Sequence, residues 1–120
     1  MQKVLILDDD PKRHIEFDRI LKGLSVCHVW TANQAIQALC DNPPFDLICL
    51  DHDLGDFRNS QDTADPGDGT EVAAFINLHL DRKHYPKQIM IHSWNTAGAA
   101  HMANLIRETG IPTCVKAFHV

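Results

Sequence analysis

The sequence predicts a single α/β domain, residues 1–120, with three layers built around a five-stranded parallel sheet. Five apolar runs with the length and composition of strands alternate with four runs of helical spacing, without an internal repeat or a linker. This alternation is typical of β/α units, in which consecutive parallel strands are joined by right-handed helical crossovers. We therefore expect helices on both faces of the sheet.

The first unit begins with the apolar run KVLIL at residues 3–7. Pro11 suits the first turn of a helix, because the backbone N–H that proline lacks has no partner there. Asp10 is in position to cap this helix, since its carboxylate can accept a hydrogen bond from the first turn. A helical apolar face then continues towards Gly23, where we expect the helix to end.

The remaining elements follow in the same alternation. Thr31 is expected to cap the second helix, and the N-P-P triplet at residues 42–44 to stop it. The nearly continuous apolar run of the third strand indicates a sheet that is covered on both faces. The later predicted strands are residues 25–30, 46–50, 88–92 and 113–118, and the later predicted helices are residues 71–80 and 99–107.

The composition is that of a globular domain, with 44% apolar and 22% charged residues. The net charge of -5 disfavours an extended nucleic-acid surface and binding to an anionic membrane. No run approaches the roughly 20 apolar residues of a bilayer span, and the N-terminus leads directly into a strand, so we expect a cytoplasmic protein. The four cysteines have no metal or redox spacing, and we expect buried thiols.

Polar side chains gather where the predicted strands end. These residues are Asp8, Asp9 and Asp10 after strand one, Asp51, His52 and Asp53 after strand three, His92, Ser93 and Asn95 after strand four, and Lys116 in strand five. In an open parallel sheet, ligands bind beyond the carboxyl ends of the strands, near the point where the strand order reverses. The sequence therefore predicts a polar site at this edge.

Carboxylates that converge on one point repel each other and take up protons unless a cation neutralises them. Mg²⁺ suits this role, because it prefers oxygen ligands and combines carboxylates with phosphate oxygens; Mn²⁺ is an alternative. The residues alone predict a metal site at Asp9 and Asp51, with Asp8 and Asp53 as further candidate ligands. The competing interpretation is that such aspartates only cap helices and line solvated turns, which is what we expect of Asp10.

The motifs VLILDDDP, FDLICLD, IMIHS and VKAF resemble, in this order, the receiver domain of two-component response regulators. The resemblance covers nearly the whole chain and implies a flavodoxin-like fold with strand order 2-1-3-4-5. It implies that Asp8 and Asp9 hold Mg²⁺ and that Asp51 accepts a phosphoryl group. Ser93 and Lys116 complete the set, as a hydroxyl donor and a positive charge for the phosphate.

Three features depart from a signalling receiver. The sequence ends soon after strand five, so we expect the fifth helix to be missing and the uncovered face of strands four and five to form a homodimer. The long acidic segment from Asp51 to Gly69 could be a lid whose Arg58 reaches a substrate phosphate, or a disordered surface loop. His52 and His92 could act as general acids or bases. No acidic partner at a recognisable spacing accompanies His14, His28, His79, His84 or His119.

The combination of D-H-D-L-G at residues 51–55 with H-S-W-N-T-A-G at residues 92–98 resembles a receiver-derived family of bacteria and phages, the cyclic-phosphate-processing receiver-like domains. The resemblance implies a phosphoesterase acting on a phosphate-bearing small molecule or a nucleic-acid end, with Asn95 contacting phosphate or ribose. The candidate catalytic residues are Asp51, His52, His92, Ser93, Asn95 and Lys116. A stand-alone receiver phosphorylated on Asp51 and a non-catalytic phosphate-binding module stay open as alternatives.

Overall fold

The computed structural model describes residues 2–42, 44–55 and 65–116. In chain order the elements are β1 (Lys3–Leu7), α1 (Pro11–Ile20), β2 (Ser25–Val29), α2 (Ala32–Asp41), β3 (Leu47–Leu50), α3 (Gly69–Leu78), β4 (Gln88–Ile91), α4 (Thr96–Arg107) and β5 (Thr113–Val115). A short 3₁₀ helix, Arg82–His84, precedes β4. The predicted type and order of the strands and α-helices are confirmed.

The strands form one parallel sheet in the order β2-β1-β3-β4-β5, as predicted. The register pairs Leu7 with Val29 on one side and with Leu50 on the other, and Leu50 in turn with Ile91. The central strands therefore end at the same level. From β1 the chain moves outwards to β2 and then returns past β1 to β3, so the strand order reverses between β1 and β3, where ligands bind in folds of this kind.

Both faces of the sheet are covered. Alternate strand residues such as Leu5 and Ile48 join the larger core beneath α2, α3 and α4. Their neighbours Val4 and Cys49 pack with Phe17 of α1 on the other face, as the two-residue period of a strand requires. Burial of a large apolar side chain contributes about 1.5–3 kcal/mol, so these clusters hold the strand ends, and the site beyond them, in place.

Capping side chains fix where the helices begin. Asp10 and Thr31 accept backbone hydrogen bonds in the first turns of α1 and α2, which confirms the predicted caps. Asp68 and Asn95 do the same for α3 and α4, which begin two and three residues earlier than the apolar pattern indicates. The apolar spacing alone missed these first turns because they are built on polar and small residues.

The edge of the sheet at β5 is partly open to solvent. The described residues beyond β5 reach only Lys116 and include no fifth helix, as predicted, while residues 117 and 118 of the predicted fifth strand lie outside the described part. Cys49 is buried and Cys27 half-buried, but Cys40 and Cys114 are exposed. The expectation of four buried thiols was therefore wrong, because Cys40 lies on the outer side of α2 and Cys114 on an edge strand. Among the described helices, none combines the length and hydrophobicity of a bilayer-crossing segment.

Candidate functional site

Three buried carboxylates meet where β1 and β3 end. Asp8 and Asp9 follow β1, Asp51 follows β3, and their exposed fractions are 0%, 6% and 5%. Each offers one oxygen that lies within 4.8 Å of an oxygen from the other two. The sheet places them there, because the backbone N–H of Asp51 donates to the carbonyl of Leu7 (3.0 Å) and extends the strand pairing by one residue.

The guanidinium of Arg13, on the first turn of α1, lies among these carboxylates. Its Nε and Nη2 donate to both oxygens of Asp8 at 2.7 and 2.9 Å. Nη2 also lies 3.4 Å from Asp51 Oδ2 and 3.5 Å from Asp9 Oδ1. Arg13 was not among the predicted site residues, although a basic residue four positions after Asp9, at the start of a helix, was a usable signal.

Asp8 and Asp51 have pKa values shifted in opposite directions. Burial alone would raise the pKa of Asp8, but the hydrogen bonds from His92 and Arg13 outweigh it, and the pKa falls below its ordinary value. Burial raises the pKa of Asp51 to about 8, helped by the charge of Asp8 and only partly opposed by Arg13. Near neutral pH the metal-free cluster therefore holds an ionised Asp8 beside a protonated Asp51. A divalent cation would displace that proton.

The donor set suits a hard divalent cation, because Asp8, Asp9 and Asp51 together offer only carboxylate oxygens. Asp53, the fourth predicted ligand, lies outside this group. Its carboxylate instead contacts the side chains of His52 and Asn95. The structure thus brings three of the four predicted metal ligands together.

His92 lies behind the carboxylates. Its side chain is fully buried, and Nε2 lies 2.8 Å from Asp8 Oδ2. The imidazole also meets Phe17 edge-on, with ring centroids 5.1 Å apart, and this contact fixes the plane of the ring. Such a histidine orients Asp8, and its acid–base role stays a prediction.

His52 and Asp53 form a hydrogen-bonded pair beside the cluster. His52 Nδ1 lies 2.7 Å from Asp53 Oδ1, and the backbone N–H of His52 donates to Asp51 Oδ1 at 2.9 Å. The hydrogen bond from His52 lowers the pKa of Asp53, so this carboxyl is ionised near neutral pH. When Nδ1–H donates to a carboxylate, the neutral imidazole carries its lone pair on Nε2. His52 therefore has the form of an oriented base.

Gly98 gives a physical reason for the spacing of the H-S-W-N-T-A-G motif. A Cβ at this position would lie 2.5 Å from His52 Cδ2, so only glycine lets the ring pack on the first turn of α4. Asn95 Oδ1 accepts a hydrogen bond from the N–H of Gly98 (2.9 Å), while its Nδ2 lies 3.4 Å from Asp53 Oδ1. Asn95 thus caps α4 and braces Asp53; its predicted contact to phosphate or ribose stays a prediction.

The ends of the long acidic segment are held close to the carboxylates. The N–H of Gly69 donates to the carbonyl of His52 (2.8 Å), and a Cβ on Gly69 would lie 2.2 Å from the carbonyl oxygen of Asp51. Glycine is therefore required where α3 begins. Arg58, the residue predicted to reach a substrate phosphate, lies outside the described residues.

Ser93 and Lys116 lie at the same edge of the sheet, beyond β4 and β5. Ser93 is buried, and its hydroxyl accepts a hydrogen bond from the N–H of Asn95 (3.1 Å). The N–H of Lys116 donates to the carbonyl of Ile91 (2.8 Å), which continues the pairing of β4 with β5, and the residue is exposed. The predicted strand-end residues thus share one edge, with Lys116 at its solvent border.

A second group of imidazoles supports the cluster from the β2 side. His14 Nε2 lies 2.9 Å from the carbonyl oxygen of Asp8, and the Nδ1 atoms of His14 and His28 are 2.5 Å apart. His28 Nε2 lies 2.7 Å from Asp18 Oδ1, and Trp30 stacks on His14 with ring centroids 3.8 Å apart. Burial lowers the pKa of His14. The expectation that these histidines lack an acidic partner was wrong for His28, because β2 brings it beside α1.

Comparisons with solved structures agree with the fold. The fold resembles the response regulator TrrA of Thermotoga maritima in complex with Mg²⁺–BeF, at 18% identity over 99% of this chain and 90% of that one, with a TM-score of 0.68. A CheY-like receiver domain of Methylobacillus flagellatus gives 15% identity, coverage of 100% and 88%, and a TM-score of 0.68. A Burkholderia pseudomallei response regulator with a phosphorylated aspartic acid, calcium ion and citrate gives 16% identity, coverage of 100% of this chain and 62% of that one, and a TM-score of 0.67.

At these identities the solved structures establish the fold alone. No curated protein sequence matches the chain. The sequence profile of one family, described as the cyclic-phosphate processing receiver domain, matches residues 3–108, which include the carboxylate cluster, the His52–Asp53 pair and Gly98. The chain therefore belongs to the family of cyclic-phosphate-processing receiver domains.

Proposed function

We propose that this domain is a metal-dependent phosphoesterase whose substrate is a cyclic phosphate, carried by a nucleotide or by the end of a nucleic acid. The observation that carries the proposal is the His52–Asp53 pair, in which a carboxylate orients the imidazole of the residue that follows Asp51; the backbone N–H of that residue, His52, donates to Asp51 Oδ1. A phosphodiester needs both a cation to offset its charge and a base to activate water. The two halves of that requirement lie next to each other in this site.

Asp8, Asp9 and Asp51 would hold the ion, with Mg²⁺ as the expected metal and Mn²⁺ as a possible substitute. A divalent ion in this place would offset the negative charge of the phosphate and of the carboxylates. The domain itself contributes the orientation of the ligands, since His92 holds Asp8 through the 2.8 Å contact at its Oδ2. Metal sites depend on neighbouring residues of this kind to hold their ligands in the right orientation.

In the proposed reaction, His52 Nε2 accepts a proton from the water that attacks phosphorus. Asp53 stabilises the resulting imidazolium through its 2.7 Å contact with Nδ1. The bond from phosphorus to one oxygen of the ring breaks, and that oxygen takes up a proton from solvent, while the imidazolium of His52 returns its proton to solvent. The cyclic diester and water thus give a phosphomonoester with a free hydroxyl. Ser93 and Lys116, at the same edge of the sheet, are proposed to contact the phosphate oxygens.

The direct test is incubation of the protein with 2′,3′-cyclic nucleotides and Mg²⁺ or Mn²⁺, with the monoester product followed by phosphorus NMR. His52→Gln should lower the rate by about 10²–10³-fold, because it removes the base and leaves the carboxylates in place. The matched control is His79→Gln, which changes an exposed imidazole after α3. The proposal fails if no product forms with either metal, or if His52→Gln retains the wild-type rate. Binding of the nucleotide without product would identify a non-catalytic binding module.

A second candidate function is phosphorylation of Asp51, which its place at the end of β3, between Asp8 and Ser93, favours. In this reaction the Asp51 carboxylate attacks acetyl phosphate, acetate leaves, and an aspartyl phosphate forms. Intact mass spectrometry after incubation with acetyl phosphate and Mg²⁺ should then show one added phosphoryl group, absent from Asp51→Asn. His52→Gln separates the two functions, because phosphoryl transfer to Asp51 does not require the imidazole. An unchanged mass would eliminate this candidate.

A further inference from the structure

The guanidinium of Arg13 occupies the space among the carboxylates that a divalent ion would need. We propose that Arg13 is a built-in cation that Mg²⁺ must displace, so that this residue sets the affinity of the cluster for metal. The proposal rests on the proposed metal site and adds a competitor to it. It describes two states, with the guanidinium inside the cluster in the metal-free protein and outside it in the metal-bound protein.

The contacts of Arg13 coincide with the ligand set. The guanidinium binds both oxygens of Asp8 at 2.7 and 2.9 Å and lies 3.5 Å from Asp9, 3.4 Å from Asp51 and 3.5 Å from Asp10. All three carboxylates of the candidate metal site are therefore within ion-pair distance of one cation. The same oxygen lone pairs cannot serve a guanidinium and an inner-sphere metal at once.

Electrostatic repulsion also prevents the guanidinium of Arg13 and a divalent ion from occupying the cluster together. A guanidinium and a divalent ion within about 4 Å of each other repel strongly, because the effective dielectric at the edge of a protein is well below that of water. Joint occupancy of this small cluster is therefore disfavoured. The divalent ion carries the higher charge and so competes effectively for the carboxylates when it is abundant.

The position of Arg13 in the fold allows it to leave. Its backbone is fixed by the first turn of α1, which the Asp10 cap and Pro11 hold in place. Its side chain is 13% exposed and so borders on solvent. A change of side-chain rotamer can move the guanidinium into water without unfolding α1.

This competition has a measurable consequence. When the binding-competent state is only a fraction of the population, the apparent dissociation constant rises by the reciprocal of that fraction. A bidentate arginine–carboxylate pair is among the stronger charge-assisted contacts, so the competent fraction is small. We expect Arg13→Gln to bind Mg²⁺ and Mn²⁺ roughly tenfold more tightly than the wild-type protein.

The test is a titration of the full chain with Mn²⁺, followed by the electron paramagnetic resonance of the free ion, and with Mg²⁺ by calorimetry, both at mildly alkaline pH. Lys12→Gln is the matched control. It removes one positive charge from an exposed side chain next to Arg13 in the sequence. Its affinity should change less than about threefold, which measures the general electrostatic effect. A change in Lys12→Gln equal to that in Arg13→Gln would overturn the competition.

A spectroscopic readout follows the arginine itself. In the metal-free protein the Nε–H of Arg13 donates to Asp8 Oδ2, and its ¹H–¹⁵N resonance should move and lose protection from exchange as Mg²⁺ is added. A resonance that does not respond at saturating Mg²⁺ would overturn the proposal. This resonance should be absent from the spectrum of Arg13→Gln, and its absence assigns it to Arg13.

Arg13→Lys provides a second variant that keeps the charge but loses the bidentate geometry, and its metal affinity should lie between those of wild type and Arg13→Gln. If Arg13→Gln does not fold, as judged by circular dichroism, Arg13→Lys decides the question. Unchanged or weaker metal binding in the folded variants overturns the role of Arg13 alone. Failure of every variant to bind either metal removes the metal site, and the proposed phosphoesterase with it.

Discussion

Replacing Asp51 with asparagine should stabilise the metal-free domain, by an amount that grows with pH. Asparagine keeps the shape of the side chain and can still accept the hydrogen bond from the N–H of His52, but it carries no charge. In the folded protein, burial and the neighbouring Asp8 raise the pKa of Asp51 from 3.8 to about 8. Between these two values the unfolded chain has released the proton and the folded chain retains it. The free energy of unfolding of the wild type therefore falls as pH rises through this window.

The magnitude follows from the same linkage. Each pH unit inside the window changes the free energy of unfolding by about 1.4 kcal/mol, so the advantage of Asp51→Asn should grow by about 2–3 kcal/mol between about pH 5 and pH 7. The lowered pKa of Asp8 acts below its ordinary value of 3.8 and is common to both proteins. It therefore cancels in the difference.

The assay is urea unfolding with chelator and reductant present, followed by circular dichroism at the two pH values. Asp41→Asn, at an exposed position on α2, is the control for loss of a carboxylate outside the cluster. An equal stabilisation by Asp51→Asn at both pH values would refute the reasoning, because it would mean that folded Asp51 is ionised throughout. Added Mg²⁺ should reduce the difference, since a ligand that binds only the folded wild type stabilises it by mass action.

Three further changes test other parts of the site and the surface. Gly98→Ala should lower turnover of a cyclic nucleotide by about tenfold or more and leave Mn²⁺ affinity unchanged, because the new Cβ displaces the ring of His52. Alanine favours a helix more than glycine does, so loss of α4 would not be the cause. Unchanged turnover would contradict the packing of His52 on Gly98. His92→Leu should lower the free energy of unfolding by about 1–3 kcal/mol in urea, because it removes one of the hydrogen bonds to the fully buried Asp8. An unchanged free energy of unfolding would show that the hydrogen bonds from Arg13 and from the N–H of Asp10 hold Asp8 without His92. Sedimentation equilibrium of the wild type should show the predicted homodimer. Cys114→Arg should abolish the dimer, because it puts a charge on the exposed edge strand. A wild type that is monomeric at micromolar concentration would contradict the predicted dimer.

Much of the fold could be predicted because its determinants are local. Local determinants act on their immediate neighbours in the sequence, so their effects can be predicted from short segments. Examples are the apolar run at residues 3–7, the proline at position 11 and the caps Asp10 and Thr31. The starts of α3 and α4 were placed too late, because the first residues after the caps Asp68 and Asn95 are small or polar. The edge position of β5 decided that Cys114 is exposed, which no local pattern shows.

The carboxylate cluster was predictable for a topological reason. Parallel strands joined by right-handed crossovers bring their carboxyl ends to one edge, so residues that follow β1 and β3 must meet. The order of residues along the chain is therefore enough to predict that Asp8, Asp9 and Asp51 converge.

The contacts that hold these carboxylates come largely from the packing of separate elements. His92 reaches Asp8 across 84 positions of the chain, and Gly98 admits the ring of His52 from a different helix. Arg13 fills the centre of the cluster because the first turn of α1 points it there. The contacts of His92 and Gly98 depend on the distance and direction between packed elements, which the spacing of residues along a chain does not encode, whereas Arg13 lies four positions after Asp9 and left a local signal.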